Sequence, residues 1–322
     1  MQSDANGYFG RCLYLNGVNR DAQSPHCPVL TGHLGRADRS WHMLPTLMIY
    51  YTSAQGYRPG GFNRGAVALL PDVAGIAQYI TPQAYGSDLL TNSEVGWKSE
   101  LLNHYVMING ALYQDNWDNV QTSLFCPSCG FGNVSFGTNG PVSRVRGVAL
   151  QRAAHLFTGF SLQGAVAWNS SALVNSAALI ENNLASPNFG KPITTRYVQG
   201  AAQPVQNVYG ARGSSLVYSP PFEADLRMRH AWMLGDDLPF EQVGFVHEGH
   251  TRSAAGCLAT YNLPGWTTYD ASMGGSKGDW TVTMDGSNLT GVNKSLAKSS
   301  SMFILTETPM RPRVISLTFH YD

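Results

Sequence analysis

From about residue 48 onward, apolar and polar side chains alternate in short runs, the period-2 pattern of strands with two differently solvated faces. The clearest run sets Ala224, Leu226, Met228 and Trp232 against Glu223, Asp225, Arg227 and Arg229. In the run from about 92 to 101, Val95, Trp97 and Leu101 share one face, and Glu94, Lys98 and Glu100 the other. Near the end, Ile315, Leu317, Phe319 and Tyr321 alternate with Ser316, Thr318 and His320. The pattern predicts about ten strands, near 48–57, 92–101, 105–117, 142–152, 159–168, 223–232, 239–248, 269–273, 280–285 and 315–321, and no helix. Short turns at Leu102-Asn103-His104, near His155, at Gly235-Asp236-Asp237 and at Lys277-Gly278-Asp279 alternate with long loops rich in Gly, Asn and Ser.

Strand length and loop asymmetry narrow the fold class. Strands of about 9–13 residues match what a tilted strand needs to cross a bilayer, and short turns on one side with long loops on the other are the habit of outer-membrane barrels. Soluble sandwiches use strands of about 5–6 residues without that asymmetry. The expected fold is therefore all-β, an antiparallel transmembrane β-barrel. Residues 1–47 lack the alternation and are expected to be an irregular N-terminal segment, with residues 48–322 forming the barrel part.

Composition agrees. Only 13% of residues are charged, against about a quarter in soluble domains, while 11% are aromatic and 34 are Gly. The net charge of zero argues against a nucleic-acid partner, which needs a basic excess on one face. The longest apolar runs are far shorter than the roughly 18 residues of a spanning helix. Met1-Gln-Ser-Asp has neither the basic start nor the apolar centre of a signal peptide. The five cysteines are an odd number, so at least one lacks a partner within the chain. Cys12 and Cys27 leave two readings open, a disulfide or two free thiols.

The stretch Tyr50 to Gly65 organises the chain. An aromatic strand runs into Tyr57-Arg58-Pro59-Gly60-Gly61-Phe62-Asn63, where Pro fixes φ and the glycines end the strand. This stretch resembles the strand-to-loop exit of TonB-dependent outer-membrane receptors. Four further segments resemble the same family in the same order: Ser93-Glu94-Val95-Gly96-Trp97-Lys98, Ala111 to Gln121, Trp280 with Asn288-Leu289-Thr290, and Arg311-Pro312-Arg313-Val314-Ile315. Departures are Gln151 and Gly291, where the family carries acids.

The resemblance implies a partial barrel, about ten strands of an expected 22-stranded one, with the plug domain and the N-terminal strands missing. It implies an outer-membrane receptor and transporter of a Gram-negative bacterium for a scarce nutrient, most often a ferric siderophore, without enzymatic chemistry or cofactor. Implied partners are outer-membrane lipid, the TonB complex acting through the plug, and the barrel-assembly machinery reading the end strand Ile315, Leu317, Phe319 and Tyr321. Tyr57, Arg58 and Asn63 at the loop exit, with Arg227 and Arg229 on a lumen-facing track, are the candidate ligand contacts.

Each chemical motif also has a plainer reading. Cys126-Pro-Ser-Cys129 has no second ligand pair for zinc and no βαβ context for redox work, so a loop disulfide is expected. Gly274-Gly275-Ser276-Lys277-Gly278 fits a nucleophile elbow in letters, yet an alternating strand follows it, so a Gly-rich hairpin turn is expected. His247 and His250 are three apart at a strand end, not paired on a helix, and no metal site is expected. The alternative function is a soluble all-β carbohydrate-binding or glycan-processing domain with its acids on loops; a simple porin is the third reading, set apart by having no plug.

Overall fold

In the computed structural model, the described residues are 34–63, 68–71, 77–125, 134–198, 201–204, 207–254, 261–301 and 304–321. Among them there is no helix. Eleven strands pair side by side in one antiparallel sheet: β1 (Arg36–Leu44), β2 (Leu47–Arg58), β3 (Asp88–Leu101), β4 (Val106–Asp118), β5 (Ser143–Phe157), β6 (Phe160–Leu173), β7 (Phe222–Ala231), β8 (Phe240–Glu248), β9 (Trp266–Lys277), β10 (Trp280–Ser287) and β11 (Val314–Tyr321). Sheet order follows chain order throughout, so every connection joins neighbours.

The register makes the two faces explicit. Tyr51 pairs with Val95, Val95 with Leu112, Leu112 with Val148 and Val148 with Trp168. Across the other half, Leu226 pairs with Phe245, Phe245 with Tyr269, Met273 with Met284 and Met284 with Leu317. These rows make an outward apolar band between the short turns and the row holding Tyr51 and Trp168. Leu112 is 54% exposed and Met273 60%, which is what a lipid-facing wall shows when lipid is not counted. The opposite face carries Glu94, Asp225, Arg227, Asp270 and Asp285. There Tyr50 lies across Gly96, where an added Cβ would meet its ring at 2.4 Å, and donates its hydroxyl to Glu94 at 2.6 Å.

Aromatic rings gather where the sheet meets the short turns. Phe157 stacks on Phe160 with centroids 4.8 Å apart, His230 on Trp232 at 5.1 Å, and Trp280 lies 4.9 Å from Tyr321. Amphipathic rings favour this headgroup level.

The sequence reading needs four corrections. The segment 1–47 is not irregular throughout, because β1 falls inside it, and the sheet has eleven strands, not ten. This strand carries polar residues on both faces, Arg39 outward and Asp38 inward, so its alternation is faint. Pairing with β2 defines it, and Thr52 donates to Asp38 at 2.9 Å. The turn expected near His155 lies at 158–159, since β5 continues to Phe157. Finally, Gly274 and Gly275 are not a turn but lie inside β9, opposite Thr283 and Val282.

Three of the short turns contain a glycine with φ in the left-handed region, Gly159 at 79°, Gly235 at 65° and Gly278 at 56°. The first and last differ in surroundings: a Cβ on Gly159 would sit 1.8 Å from the Ala231 carbonyl oxygen, while one on Gly278 meets nothing within 4 Å. Gly278→Ala is expected to cost about 1 kcal/mol through φ alone. Gly159→Ala is expected to cost about 2–4 kcal/mol, since strain and overpacking add. Urea unfolding followed by tryptophan fluorescence checks the order; equal midpoints for the two variants would contradict it.

Candidate functional site

The described parts of three of the long connections, 59–87, 119–142 and 174–221, fold together at one end of the sheet. Their anchor is the exit of β2. Arg58 ends that strand facing Asp88, the first residue of β3. The guanidinium Nε donates to Asp88 Oδ2 at 2.8 Å, a terminal amino group forms an ion pair with the same oxygen, and the Arg58 backbone N–H donates to Oδ1 at 3.1 Å. A further backbone N–H, from Gln121, reaches the carboxylate at 3.2 Å. Arg58 also lies over the Trp117 ring, 4.8 Å from its centroid. One buried carboxylate, 2% exposed, thus holds three chain segments.

This clasp lies beyond the apolar band, on the loop side of Val95. Burial disfavours the charge of Asp88, but the hydrogen bonds from Arg58 and Gln121 and the nearby positive charge outweigh it, so the carboxyl is held below its ordinary range.

Gly60 and Gly61 are required for space rather than for φ. A Cβ on Gly60 would meet the Tyr85 carbonyl oxygen at 2.3 Å, and one on Gly61 the Tyr85 hydroxyl at 2.4 Å. Gly61–Phe62 and Ala84–Tyr85 pair as a short ladder, and the Tyr85 ring fills the gap between Gly61 and Gly137, 2.8 Å from where a Cβ on the latter would be. Gln121 adds a hydrogen bond from Nε2 to the Pro59 carbonyl at 2.8 Å.

Three asparagines join the loops by copying a backbone edge. The amide of Asn63 donates to the Gly137 carbonyl at 2.7 Å and accepts from the Gly137 N–H at 2.6 Å. Asn182 does the same with Ile80, at 2.6 and 2.7 Å. The third, Asn139, does so with Gly86, at 3.1 and 2.7 Å. Each pair satisfies both backbone groups of its partner on an edge that no strand pairs; Gly137 and Ile80 are paired with Ser123 and Ala68 on their other edge.

Inside this stitching lies the main buried apolar cluster among the described residues: Tyr79, Leu124, Phe136, Leu179, Ile193, Val208 and Tyr209. It draws on all three loops. Burial pushes the Tyr79 phenol up to about 12; Tyr209 adds to the shift and a hydrogen bond with Thr138 partly offsets it.

The candidate residues do not form one constellation. Arg58 and Asn63 belong to the loop cap, where both are engaged as described. Tyr57 precedes Arg58 and so points to the opposite face of β2. On β7, Arg227 faces the lumen, lining a recess of about 330 Å³ with Asp225, Asp270, Asp285 and Arg311. Arg229, nearer the short turns, lies over Phe240 at 3.8 Å. No ion pair within 4 Å joins either arginine to Glu223 or Asp225 among the described residues. His247 is bound to Thr267 at 2.8 Å, and no group of three metal-ligating side chains occurs among the described residues. Cys126 and Cys129, Cys12 and Cys27 lie outside the described residues. Reasoning from sequence missed Asp88, Gln121, Asn139 and Asn182. Only Asp88 had a local signal, an acid placed where a strand begins.

An antiparallel wall with an apolar band outside, a polar face inside and folded loops at one mouth defines the wall of a membrane β-barrel. The family profile described as TonB dependent receptor-like, beta-barrel matches residues 14–289, and the chain belongs to that family, one of receptors rather than enzymes. Among solved structures it is similar to the ferric yersiniabactin uptake receptor FyuA from Yersinia pestis, with a TM-score of 0.65 and 13% identity over 90% of this chain and 37% of that one. It is also similar to the siderophore receptor PiuA from Acinetobacter baumannii, with a TM-score of 0.61 and 16% identity over 89% of this chain and 35% of that one. A third is BauA, the ferric preacinetobactin receptor from Acinetobacter baumannii, with a TM-score of 0.57 and 14% identity over 89% and 36%. The chain thus spans little more than a third of each of these structures. No curated protein matches the sequence.

Asp88→Asn is expected to loosen the cap by about 1–3 kcal/mol, because Arg58 loses its counter-charge and two backbone donors lose a charged acceptor. Amide hydrogen exchange over 119–125 is expected to accelerate roughly tenfold or more. Since the folded pKa of Asp88 is depressed, its contribution is complete above about pH 4 and is lost as pH falls further, through the folded value. The native protein is therefore expected to show the same acceleration on acidification below pH 4 and the variant not; parallel pH profiles would contradict this.

Proposed function

We propose that the protein forms part of the wall and the ligand-facing loops of a TonB-dependent receptor in the outer membrane of a Gram-negative bacterium, one that takes up a scarce, bulky nutrient, a ferric siderophore being the favoured class. The observation that carries this reading is the folded cap: three long loops, with a buried core of their own, stand over the mouth of a lipid-faced wall. Family membership supports the receptor architecture, and the similar structures include receptors described as importing ferric siderophores.

In this reading the loop end is extracellular and the short-turn end periplasmic. The wall does no covalent chemistry. Arg58 and Asn63 act by holding the loops that meet the ligand, while Arg227, in its recess with three acids, lines the path within the lumen. The polar lumen face is the surface a plug would meet, and the TonB complex acts through that plug. The outward track Ile315, Leu317, Phe319 and Tyr321 on β11 is the end signal for the assembly machinery.

The test has two parts. Membranes from cells expressing the protein are expected to retain it through a urea wash, and the extracted protein to migrate differently on gels before and after heating; a freely soluble monomer would overturn the barrel reading. The membrane-embedded protein is then titrated with a panel of ferric siderophores while tryptophan fluorescence is followed. Saturable quenching by at least one ferric form, and none by its iron-free form, is expected. No response to any member would overturn the siderophore class while leaving the barrel intact.

A further inference from the structure

We infer that the outward wall of β2–β6 carries a binding site for a phosphate-bearing, acylated lipid, built from Arg144 and Arg146 above an apolar groove. Charges on a lipid-facing wall are costly at depth and tolerated only near the interface. These two arginines are the second and fourth residues of β5, at its loop end, and by alternation they share a face with Val148 and Leu150. They therefore stand immediately above the apolar band, within one or two ladder rows, or about 7–13 Å along the strand.

Their geometry is that of held donors. Arg144 Nε donates to Asn116 Oδ1 at 2.8 Å, and Arg146 Nε donates to Gln114 Oε1 at 2.7 Å. Each bond fixes a guanidinium plane through one nitrogen. The terminal amino groups of both have no partner among the described residues, and neither arginine is in an ion pair within 4 Å. Asp118, further along β4 on the same face, pairs with neither. Two adjacent, oriented forks with unspent donors and no counter-ion match the oxygens of a phosphate.

The surface beneath fits the rest of such a molecule. A groove of about 810 Å³ opens on this face, floored by Tyr51, Val95, Leu112, Val148 and Trp168, with Arg146 at its polar edge. A phosphate at the arginines would place acyl chains along this floor. The groove lies on the lipid-facing wall, where the anion that brings acyl chains with it is a lipid's, so the occupant is a lipid rather than free phosphate.

The membrane-inserted protein in phosphatidylcholine vesicles is the test system, with brominated acyl chains carried in turn by phosphatidic acid and by phosphatidylcholine at the same mole fraction. Quenching assigned to Trp168, by difference from Trp168→Phe, is expected to favour the phosphatidic acid by about fivefold per arginine. The double variant R144Q/R146Q, checked for heat-modifiable mobility, is expected to abolish the preference. Equal quenching by the two lipids, or a preference undiminished in the double variant, would overturn the proposal. If that variant fails to insert, salt decides on the native protein: the preference is expected to fall as ionic strength rises, and a salt-independent preference would overturn it. Added inorganic phosphate is expected to leave the quenching in place, and its loss would show a headgroup site without a role for the groove. The inference rests on the membrane-wall reading, which failed insertion of the native protein would overturn, whereas equal quenching in an inserted protein would overturn this inference alone.

Discussion

A bilayer offers no hydrogen-bond partner to a peptide group, and the rest of this structure follows from that constraint. Eleven strands in unbroken sequential antiparallel order meet it between neighbours with a continuous ladder, β1 and β11 being paired on one side among the described residues, and the ladder in turn fixes the side chains. Once Tyr51 is opposite Val95 and Val95 opposite Leu112, a slip of one residue would send Glu94 to the lipid and Val95 to the lumen. Backbone pairing and the two unlike solvents therefore reinforce one register, without a hydrophobic core in the usual sense.

Where the chain leaves the bilayer, the constraint changes and so does the device. The loops stand in water, yet they are too long to remain ordered by turn chemistry alone, and they order themselves by ordinary burial, with Leu124 and Val208 each 3% exposed. Around that burial, side-chain amides replace the ladder: Asn63, Asn139 and Asn182 each offer one donor and one acceptor to a backbone edge. The Arg58–Asp88 clasp marks the border between the two regimes, since Arg58 ends a strand of the wall and Asp88 also receives the Gln121 N–H from the next loop.

That border also explains what was legible in the sequence. All ten strands read from the alternation are present, because two unlike solvents on the two faces of a strand write a period-2 pattern that needs no knowledge of neighbours. The strand Arg36–Leu44 was illegible for the converse reason: Arg39 outward and Asp38 inward blur the contrast, and only pairing with β2 reveals it. The loop cap was scarcely legible at all. Asn182 bonds to Ile80 and Asn63 to Gly137 across long stretches of chain, and nothing local distinguishes such an asparagine from one that shapes a turn. The Gly60-Gly61 pair was legible as a place but not as a cause, since the neighbour that demands the space, Tyr85, is set by the fold.

Two independent sources of order imply that wall and cap can be altered separately. The wall rests on backbone hydrogen bonds whose partners are indifferent to side-chain identity, so its outward and inward positions can vary within their classes. The cap rests on particular side chains meeting particular backbone groups, so its contour can change with few substitutions while the ladder beneath it stays as it is. The buried carboxylate of Asp88, bound by Arg58 of the wall and by the Gln121 N–H of a loop, is where the two parts are made to share one geometry.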